Sequence, residues 1–418
     1  MNSGPFIPPA FPNGPEVIYS NYSFTHETRI TTTESIFGFD AVGGVFYSRL
    51  RGSWHFLYSP PDYNQLVTGN DPTNPIYAPD NNLFYGDQRT FQNETAEFGE
   101  VTYHVTKSLS VTAGLRHYVV TNGGDTLNTG ILSTPSLDIV HSSTSGFAHK
   151  GNVSYQLTDN HLVYFQYSEG YRPGRGNLPP PPQCGDVSVP SQIQPDAIKE
   201  FELGTKTAWF DKRLTVNAAV YRIDWKNIQQ SGFIPACGFG YADNFGAARI
   251  KGVELEVNDR LTSHVSAGFS GSFTQGRLQQ DLPVVQGIPN AIRGDQVLGV
   301  PIWQYAAFGK ATYPILQGDD GYTRLDWQYT GSSWANYNRL ADGSRDPLSQ
   351  LQVTRLLNLR TGMTYRSCDF SLSATNLLNM IARQSIDANG SVTTQIPGRP
   401  RYVVNRPRTF LIDAVYKF

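Results

Sequence analysis

Apolar and polar residues alternate one by one along much of this chain. In the segment Arg408–Phe418, Phe410, Ile412, Ala414, Tyr416 and Phe418 fall on one parity, and Leu411, Asp413, Val415 and Lys417 on the other. Side chains of a strand point to opposite faces in turn, so this segment predicts a strand with one strongly apolar face. The pattern recurs. Leu109, Val111, Ala113 and Leu115 oppose Ser110, Thr112, Gly114 and Arg116. Val163, Phe165 and Tyr167 oppose Tyr164, Gln166 and Ser168. Val253, Leu255 and Val257 oppose Glu254 and Glu256. Leu325, Trp327 and Tyr329 oppose Arg324, Asp326 and Gln328. No stretch shows a helical period with caps, so the expectation is an all-β, antiparallel architecture. Leu214–Trp225 holds no single phase and predicts a bulge. Arg355 shares parity with Leu357 and Leu359, which puts it on the apolar face unless a bulge turns it.

The connections alternate as well. Short turns are predicted near Thr106-Lys107, Thr158-Asp159-Asn160, Asp211-Lys212, Asn258–Thr262, Gly318–Gly321 and Arg366-Ser367. Long Pro/Gly/Asn-rich connections are predicted at about 54–88, 121–142, 172–196, 230–243, 279–300, 337–349 and 379–404. Tight turns at one end and large loops at the other are what a transmembrane β-barrel has. The count comes to roughly 15 strands, many longer than the ~9–11 residues needed to span.

Composition sharpens this picture. Of 418 residues, 39% are hydrophobic, 16% charged and 12% aromatic. Few aliphatics, little charge and many rings suit a wall with lipid on one side and water on the other. The net charge of -2 gives no reason to expect nucleic acid as a partner. No apolar run approaches the ~20 residues of a membrane helix. The stretch Met1–Ala10 has neither a basic nor an apolar region of the kind a signal peptide carries.

Several segments carry a resemblance. Tyr164–Gly174 is an aromatic strand running into Gly170-Tyr171-Arg172. Glu200–Lys206 reads Glu-Phe-Glu-Leu-Gly-Thr-Lys. Gly252–Glu256 reads Gly-Val-Glu-Leu-Glu. Ser373–Asn379 ends in Asn376-Leu377-Leu378-Asn379, and the chain ends on Phe418. In order and spacing these resemble the carboxy-terminal part of TonB-dependent outer-membrane receptors. The resemblance implies a 22-strand barrel preceded by a signal peptide, a TonB-contacting box and a plug. This chain reads as part of that barrel: an irregular segment over 1–22 and a partial barrel over 23–418, gapped or distorted where early strands are missing. The resemblance further implies location in the outer membrane of a Gram-negative cell, against its lipid and lipopolysaccharide. The implied function is uptake of a bulky scarce nutrient, an iron–siderophore complex foremost. TonB would act through a plug that is not among these strands. Phe410, Tyr416 and Phe418 would form the terminal signal read by the outer-membrane assembly machinery. The competing readings are a passive or structural barrel without transport, and a soluble β-rich carbohydrate-binding protein.

Candidate chemistry is thin. Cys184 and Cys237 lie in two long connections separated by one hairpin, so they share a rim; they form a disulfide there or stay as two thiols. Cys368 follows a short turn and is expected to be a lone thiol. Tyr171, Arg172 and Arg175 bring a ring and two cations to the outer mouth. They suit an anionic small-molecule ligand, lipopolysaccharide, or packing inside the lumen. Trp334, Tyr337 and Arg339 admit a ligand role or a place in the upper aromatic girdle. The scattered histidines form no His-Glu-x-x-His run, and no nucleophile elbow or phosphate loop occurs, so neither an enzyme nor a resident metal or cofactor is expected.

Overall fold

A computed structural model describes residues 15–133, 135–180, 184–234, 239–244, 246–281, 291–316, 319–387 and 401–417. Cys237 and Phe418 lie outside the described residues. The wall strands are β1 (Glu16–Thr31), β2 (Phe39–Tyr58), β3 (Phe84–His104), β4 (Leu109–Thr129), β5 (Ser136–Thr158) and β6 (His161–Arg172). They continue as β7 (Asp196–Trp209), β8 (Leu214–Lys226), β9 (Ala247–Asp259), β10 (Val265–Leu278) and β11 (Trp303–Leu316). The last four are β12 (Asp319–Thr330), β13 (Thr354–Tyr365), β14 (Cys368–Thr375) and β15 (Thr409–Tyr416). They form one 15-stranded sheet in which each strand pairs with the next in order, always antiparallel.

The alternation predicts the two faces correctly. Val220, Val253 and Leu203 are 48%, 47% and 51% exposed on one side of the sheet. Their neighbours Asn217, Ala219, Glu202, Glu254 and Glu256 line a cavity on the other. One face is therefore apolar and bare, as lipid requires, and the other polar. Tight turns lie at one end of the wall, as at 105–108, 159–160 and 366–367, and large connections at the other.

Four expectations change. The sheet begins at Glu16, inside the segment expected to be irregular over 1–22, because the polar-aromatic run Glu16–Tyr22 pairs with Arg51–Leu57 on β2. The connection expected over 121–142 shrinks to 130–135, since β4 and β5 continue as a paired hairpin through Gly123 and Gly124. The glycines and the polar run Thr121–Thr126 there read as a loop from the sequence. The connection expected over 54–88 shrinks likewise to 59–83. Finally, β8 carries no bulge: it keeps one register against both β7 and β9 over Leu214–Lys226. Its phase changes because Trp225 and neighbouring Ile250 turn their inward faces to an apolar loop core. Register shifts do occur at Gln156/Thr158 and Pro314/Leu316. Arg355 stays in register opposite Tyr329 and is exposed on the apolar face.

Strands β2 to β5 hold 20, 21, 21 and 23 residues. At ~3.3 Å per residue each reaches about 70 Å, far beyond a bilayer core of ~30 Å. Strands of that length exceed what spanning a bilayer core takes. Four of the large connections carry their own two-stranded ladders, Arg175–Gly176 with Gln192–Ile193, Gln229–Ile234 with Phe239–Asn244, Ser333–Trp334 with Gln350–Leu351, and Arg383–Asp387 with Arg401–Val404.

The sheet does not close. Among the described residues β1 pairs only with β2, and β15 only with β14. Every residue of β1 is exposed, and Phe410, Ile412 and Tyr416 of β15 are bare at 66%, 80% and 60%. Both edge strands run from the loop end toward the turn end. The described end of β15 is fixed there by Lys417 N–H donating to the Ser367 carbonyl at 2.8 Å.

Candidate functional site

The inward parity of β6 to β9 builds an acidic wall. Glu202 accepts from the Tyr164 hydroxyl at 2.6 Å, Glu200 from Ser168 Oγ at 3.2 Å, and Glu256 from Asn217 Nδ2 at 3.2 Å. Tyr164, Glu202, Asn217 and Glu256, with Glu254 and Lys206, border a cavity of about 560 Å³. Three carboxylates against one lysine give the lumen at this level a negative field.

Rings are laid flat along the inner wall by glycine. Tyr164 stands opposite Gly204, Tyr221 opposite Gly252, Tyr118 opposite Gly146 and Phe308 opposite Gly268. In each pair the ring occupies the place a glycine Cβ would take; at Gly204 that Cβ would lie 2.5 Å from the Tyr164 ring. A bare backbone lets the aromatic group cover the neighbouring strand. This is the physical reason for Gly204 in the Glu-Leu-Gly segment and for Gly252 in Gly-Val-Glu-Leu-Glu. Gly252→Val is expected to displace the Tyr221 ring and to cost about 1–3 kcal/mol of overpacking. Urea titration of the refolded chain, read by heat-modifiable gel migration, checks it, and Tyr221→Ala on top of Gly252→Val should recover most of the loss.

Above this wall the outer connections share one apolar core. Cys184, Ile228, Ile234, Tyr241, Ala291, Val297 and Tyr337 pack together with the strand residues Ala248 and Leu278. Four separate connections thus form a single cap. Cys184 is disulfide-bonded and Cys368 is a free thiol.

Two buried carboxylates fasten the cap. Asp196, at the start of β7, is paired with Arg172 and also accepts from Trp225 Nε1 at 3.1 Å and Gln229 N–H at 3.4 Å. Asp295 accepts two bonds from Arg339 Nη2, at 2.7 and 2.6 Å, and lies 3.4 Å from Arg345 Nη1. The Arg345 guanidinium sits over the rings of Trp334 and Tyr337, 4.5 and 5.1 Å from their centroids. Burial pulls this guanidinium below its ordinary pKa, with Asp295 opposing; burial pushes the Tyr337 hydroxyl up to about 12.

The candidate residues of the sequence fall into these networks. Tyr171 stacks on Tyr118 with centroids 3.4 Å apart and donates its hydroxyl to Glu94 at 2.8 Å, where Arg116 also binds. It fills the seam where β6 leaves β5, whose mutual ladder ends at Lys150 and Ser168. Arg172 is held by Asp196 and the Gln229 carbonyl. Arg175 is exposed in its short ladder. Trp334 and Tyr337 both lie under the Arg345 guanidinium, and Tyr337 belongs to the apolar core of the cap. Phe410 and Tyr416 lie on the bare face of β15. Sequence reasoning missed Asp196, Asp295, Arg345, Glu94 and Tyr118. Asp196 carries a weak signal, an acid just after Pro195 at a strand start; Asp295 and Arg345 carry none, since their partners lie far away in the chain. Among the described residues no group of His, Cys, Asp or Glu side chains is arranged to hold a metal ion.

The cap and the polar inner wall face the same lumen. A family model described as TonB dependent receptor-like, beta-barrel matches residues 3–380. The catecholate siderophore receptor Fiu of Escherichia coli (strain K12) is 23% identical over 435 aligned residues, covering 96% of this chain and 51% of that receptor. The chain therefore spans about half the length of that relative. The ferric yersiniabactin uptake receptor FyuA from Yersinia pestis superposes with a TM-score of 0.74 at 19% identity, covering 96% of this chain and 54% of that one. The copper transporter OprC superposes with a TM-score of 0.67 at 14% identity, over 98% of this chain and 58% of that one. The two superpositions show the fold, and the family model shows more: the chain belongs to the TonB-dependent receptors, as part of their β-barrel.

Proposed function

We propose that this chain forms the wall and outer vestibule of an outer-membrane receptor that takes up a bulky, scarce nutrient, most of all an iron–siderophore complex. Uptake is energised by TonB through a plug that these strands do not include. The observation that carries this reading is the combination of a lipid-bare outer face, a polar inner wall and one fused cap over the lumen. Relatives named for catecholate siderophores and ferric yersiniabactin support the cargo class. The family is one of receptors and transporters, so catalysis has no part in the reading. A Cys184–Cys237 bridge would pin the 173–195 connection into the cap; the disulfide state of Cys184 supports it. The barrel body is taken as residues 23–418, with its first strand reaching back to Glu16.

The edge strands add a constraint. Both run from the outer end toward the periplasmic end, so antiparallel closure takes an odd number of further strands. Seven would complete the 22 that the family resemblance implies. A second copy of this sheet in the same orientation offers only parallel edges and cannot close it. Each unpaired backbone group in hydrocarbon costs several kcal/mol, so the working receptor is a closed one.

The test is growth. A strain lacking its own siderophore receptors, producing the protein from its native locus, should grow on a ferric siderophore as sole iron source, and lose that growth when TonB is deleted. Growth that survives loss of TonB, or no growth on catecholate, phenolate or hydroxamate complexes, contradicts the proposal.

A further inference from the structure

Cations gather along one oblique line of the inner wall. Ser266 of β10 stands directly opposite Lys310 of β11, Lys310 opposite Arg324 of β12, and Arg324 opposite Arg360 of β13. Lys310 shares its parity with Gln304 and Ala306, and Arg324 shares its parity with Gln328 and Thr330, all of which line the lumen cavity. The line reaches the turn end through Arg260, whose N–H donates to the Arg213 carbonyl at 3.0 Å. There Lys212, Arg213, Arg260, His264 and Lys310 border a second cavity of about 460 Å³, and Asp259 is the one carboxylate among its described lining residues. Arg260 lies in the turn that follows β9, whereas Arg324 and Arg360 lie in the middle of β12 and β13. The line thus climbs from the turn-end rim into the lumen.

The carboxylates near this line leave it unbalanced. Arg324 is held by Asp326, through Nε at 2.9 Å and Nη2 at 2.7 Å, and its guanidinium lies 4.1 Å from the Phe308 centroid. Arg360 donates to Ser371 Oγ at 3.0 Å and stands 4.0 Å from Asp413. Arg213 stands 3.9 Å from Asp259. Among the described residues Arg260 and Lys310 have no carboxylate partner, and Lys310 Nζ lies 5.5 Å from the Tyr322 centroid. Like charges directly opposite on a sheet destabilise it, and here three cations stand so in succession. An anion in front of them offsets that cost. The acids of the inner wall sit elsewhere: Glu202, Glu254 and Glu256 belong to β7 and β9, around the first cavity. The lumen therefore attracts an anion along one line and repels it from another.

We propose that this line is a conduction track for an anionic metal chelate, such as a ferric tris-catecholate, on its way from the vestibule to the periplasm. Its anionic oxygens pass from Arg360 and Arg324 to Lys310, and leave the lumen at Arg260 and Arg213. A pore that conducts anions needs sites strong enough to admit the ion and weak enough to release it. Guanidinium groups that are partly neutralised and open to the lumen suit that need: the Arg324 and Arg360 side chains are 39% and 52% exposed. The rim cavity has the volume of a small-molecule site, which favours a chelate over a protein segment as its occupant. The proposal rests on the uptake reading given above and adds to it the charge of the cargo and the side of the lumen that the cargo follows.

The experiment uses a strain that makes no other siderophore receptor and produces the protein from its native locus. Surface binding of a radioiron-labelled, trianionic ferric tris-catecholate is measured without TonB, and its initial uptake rate with TonB. Wild type should bind it and take it up. Arg260→Gln with Lys310→Gln should lower the uptake rate roughly fivefold or more and leave surface binding unchanged. Arg260→Lys with Lys310→Arg keeps both charges and should retain the wild-type rate. Lys107→Gln, in a turn at the same end of the wall, should retain it too. If the double variant fails to reach the membrane, Lys310→Gln alone carries the test, with an expected loss of roughly twofold, since Lys310 has no hydrogen-bond partner among the described residues. An unchanged uptake rate in the charge variants overturns the track. So does a loss of uptake accompanied by sensitivity to a large antibiotic that wild type excludes, because that would mark the line as the seat of the plug. Wild-type uptake of a neutral ferric trihydroxamate but not of the tris-catecholate overturns the track and leaves the uptake reading standing; uptake of neither overturns the uptake reading itself.

Discussion

Asp295→Ala is expected to open the outer cap while leaving the wall standing. Asp295, Arg339 and Arg345 have side chains only 11%, 17% and 13% exposed. Removing Asp295 takes a carboxylate away from two largely buried guanidinium groups, and breaking a buried pair in this way costs about 3–5 kcal/mol. Arg345 is already poorly served: its Nε is buried without a partner, although Nη2 donates to the Asn336 carbonyl at 2.8 Å. The loss should appear as hydrogen exchange across 291–300 and 331–353 faster by two orders of magnitude or more. The β2–β5 ladder should not change. Arg345→Met in the Asp295→Ala background should recover part of the protection, since a thioether beside Trp334 and Tyr337 needs no counter-charge. Unchanged exchange in Asp295→Ala would mean that the apolar core alone holds the cap.

Asp196→Ala is expected to be nearly as damaging, for a different reason. Its side chain is 3% exposed, but that of its cation, Arg172, is 50% exposed and can turn to water. What remains stranded is the Trp225 indole N–H and the Gln229 backbone N–H, each a buried donor costing about 1–3 kcal/mol unpaired. The ion pair adds less, because half of it is solvated. The expected total is about 3 kcal/mol, concentrated where β7, β8 and the 227–246 connection meet. Trp225 fluorescence reports on it directly: the emission should shift to longer wavelength as water reaches the indole. Asp196→Asn keeps an acceptor oxygen and should shift it by less than half as much. Equal shifts in both variants would locate the effect in the Arg172 pair instead.

How much of this was legible in the sequence depends on what each residue faces. Where a strand has lipid on one side and water on the other, its parity is written in the residues, as in Val253-Glu254-Leu255-Glu256. Where the residues are polar or glycine on both parities, as in Thr121–Thr126, parity carries no information. Gly123 and Gly124 therefore read as loop although they sit in a continuous ladder. At the top of β8, parity inverts because Trp225 is wanted inside, under the cap, which from the sequence resembled a bulge. The glycines of the motif segments were visible, but not their reason, which is a ring on the neighbouring strand. The cap fasteners were invisible because Asp295 and Arg345 meet only through tertiary folding. Tyr171 and Arg172 drew attention as mouth residues with ligand-binding chemistry; their polar groups are spent on Glu94 and Asp196.

The central claim is that these strands form one open arc of an outer-membrane barrel, with β1 and β15 as its two free edges. Cysteine cross-linking in intact outer membranes tests it most directly. Leu372→Cys with Ile412→Cys, directly opposite on β14 and β15, should form a disulfide readily. Phe24→Cys with Ile412→Cys, and the same pairing with Ile18→Cys or Ile30→Cys, should form none, because other strands stand between those edges. A disulfide joining β1 to β15 as efficiently as β14 to β15 would contradict the account, since it would mean that the fifteen strands close on themselves.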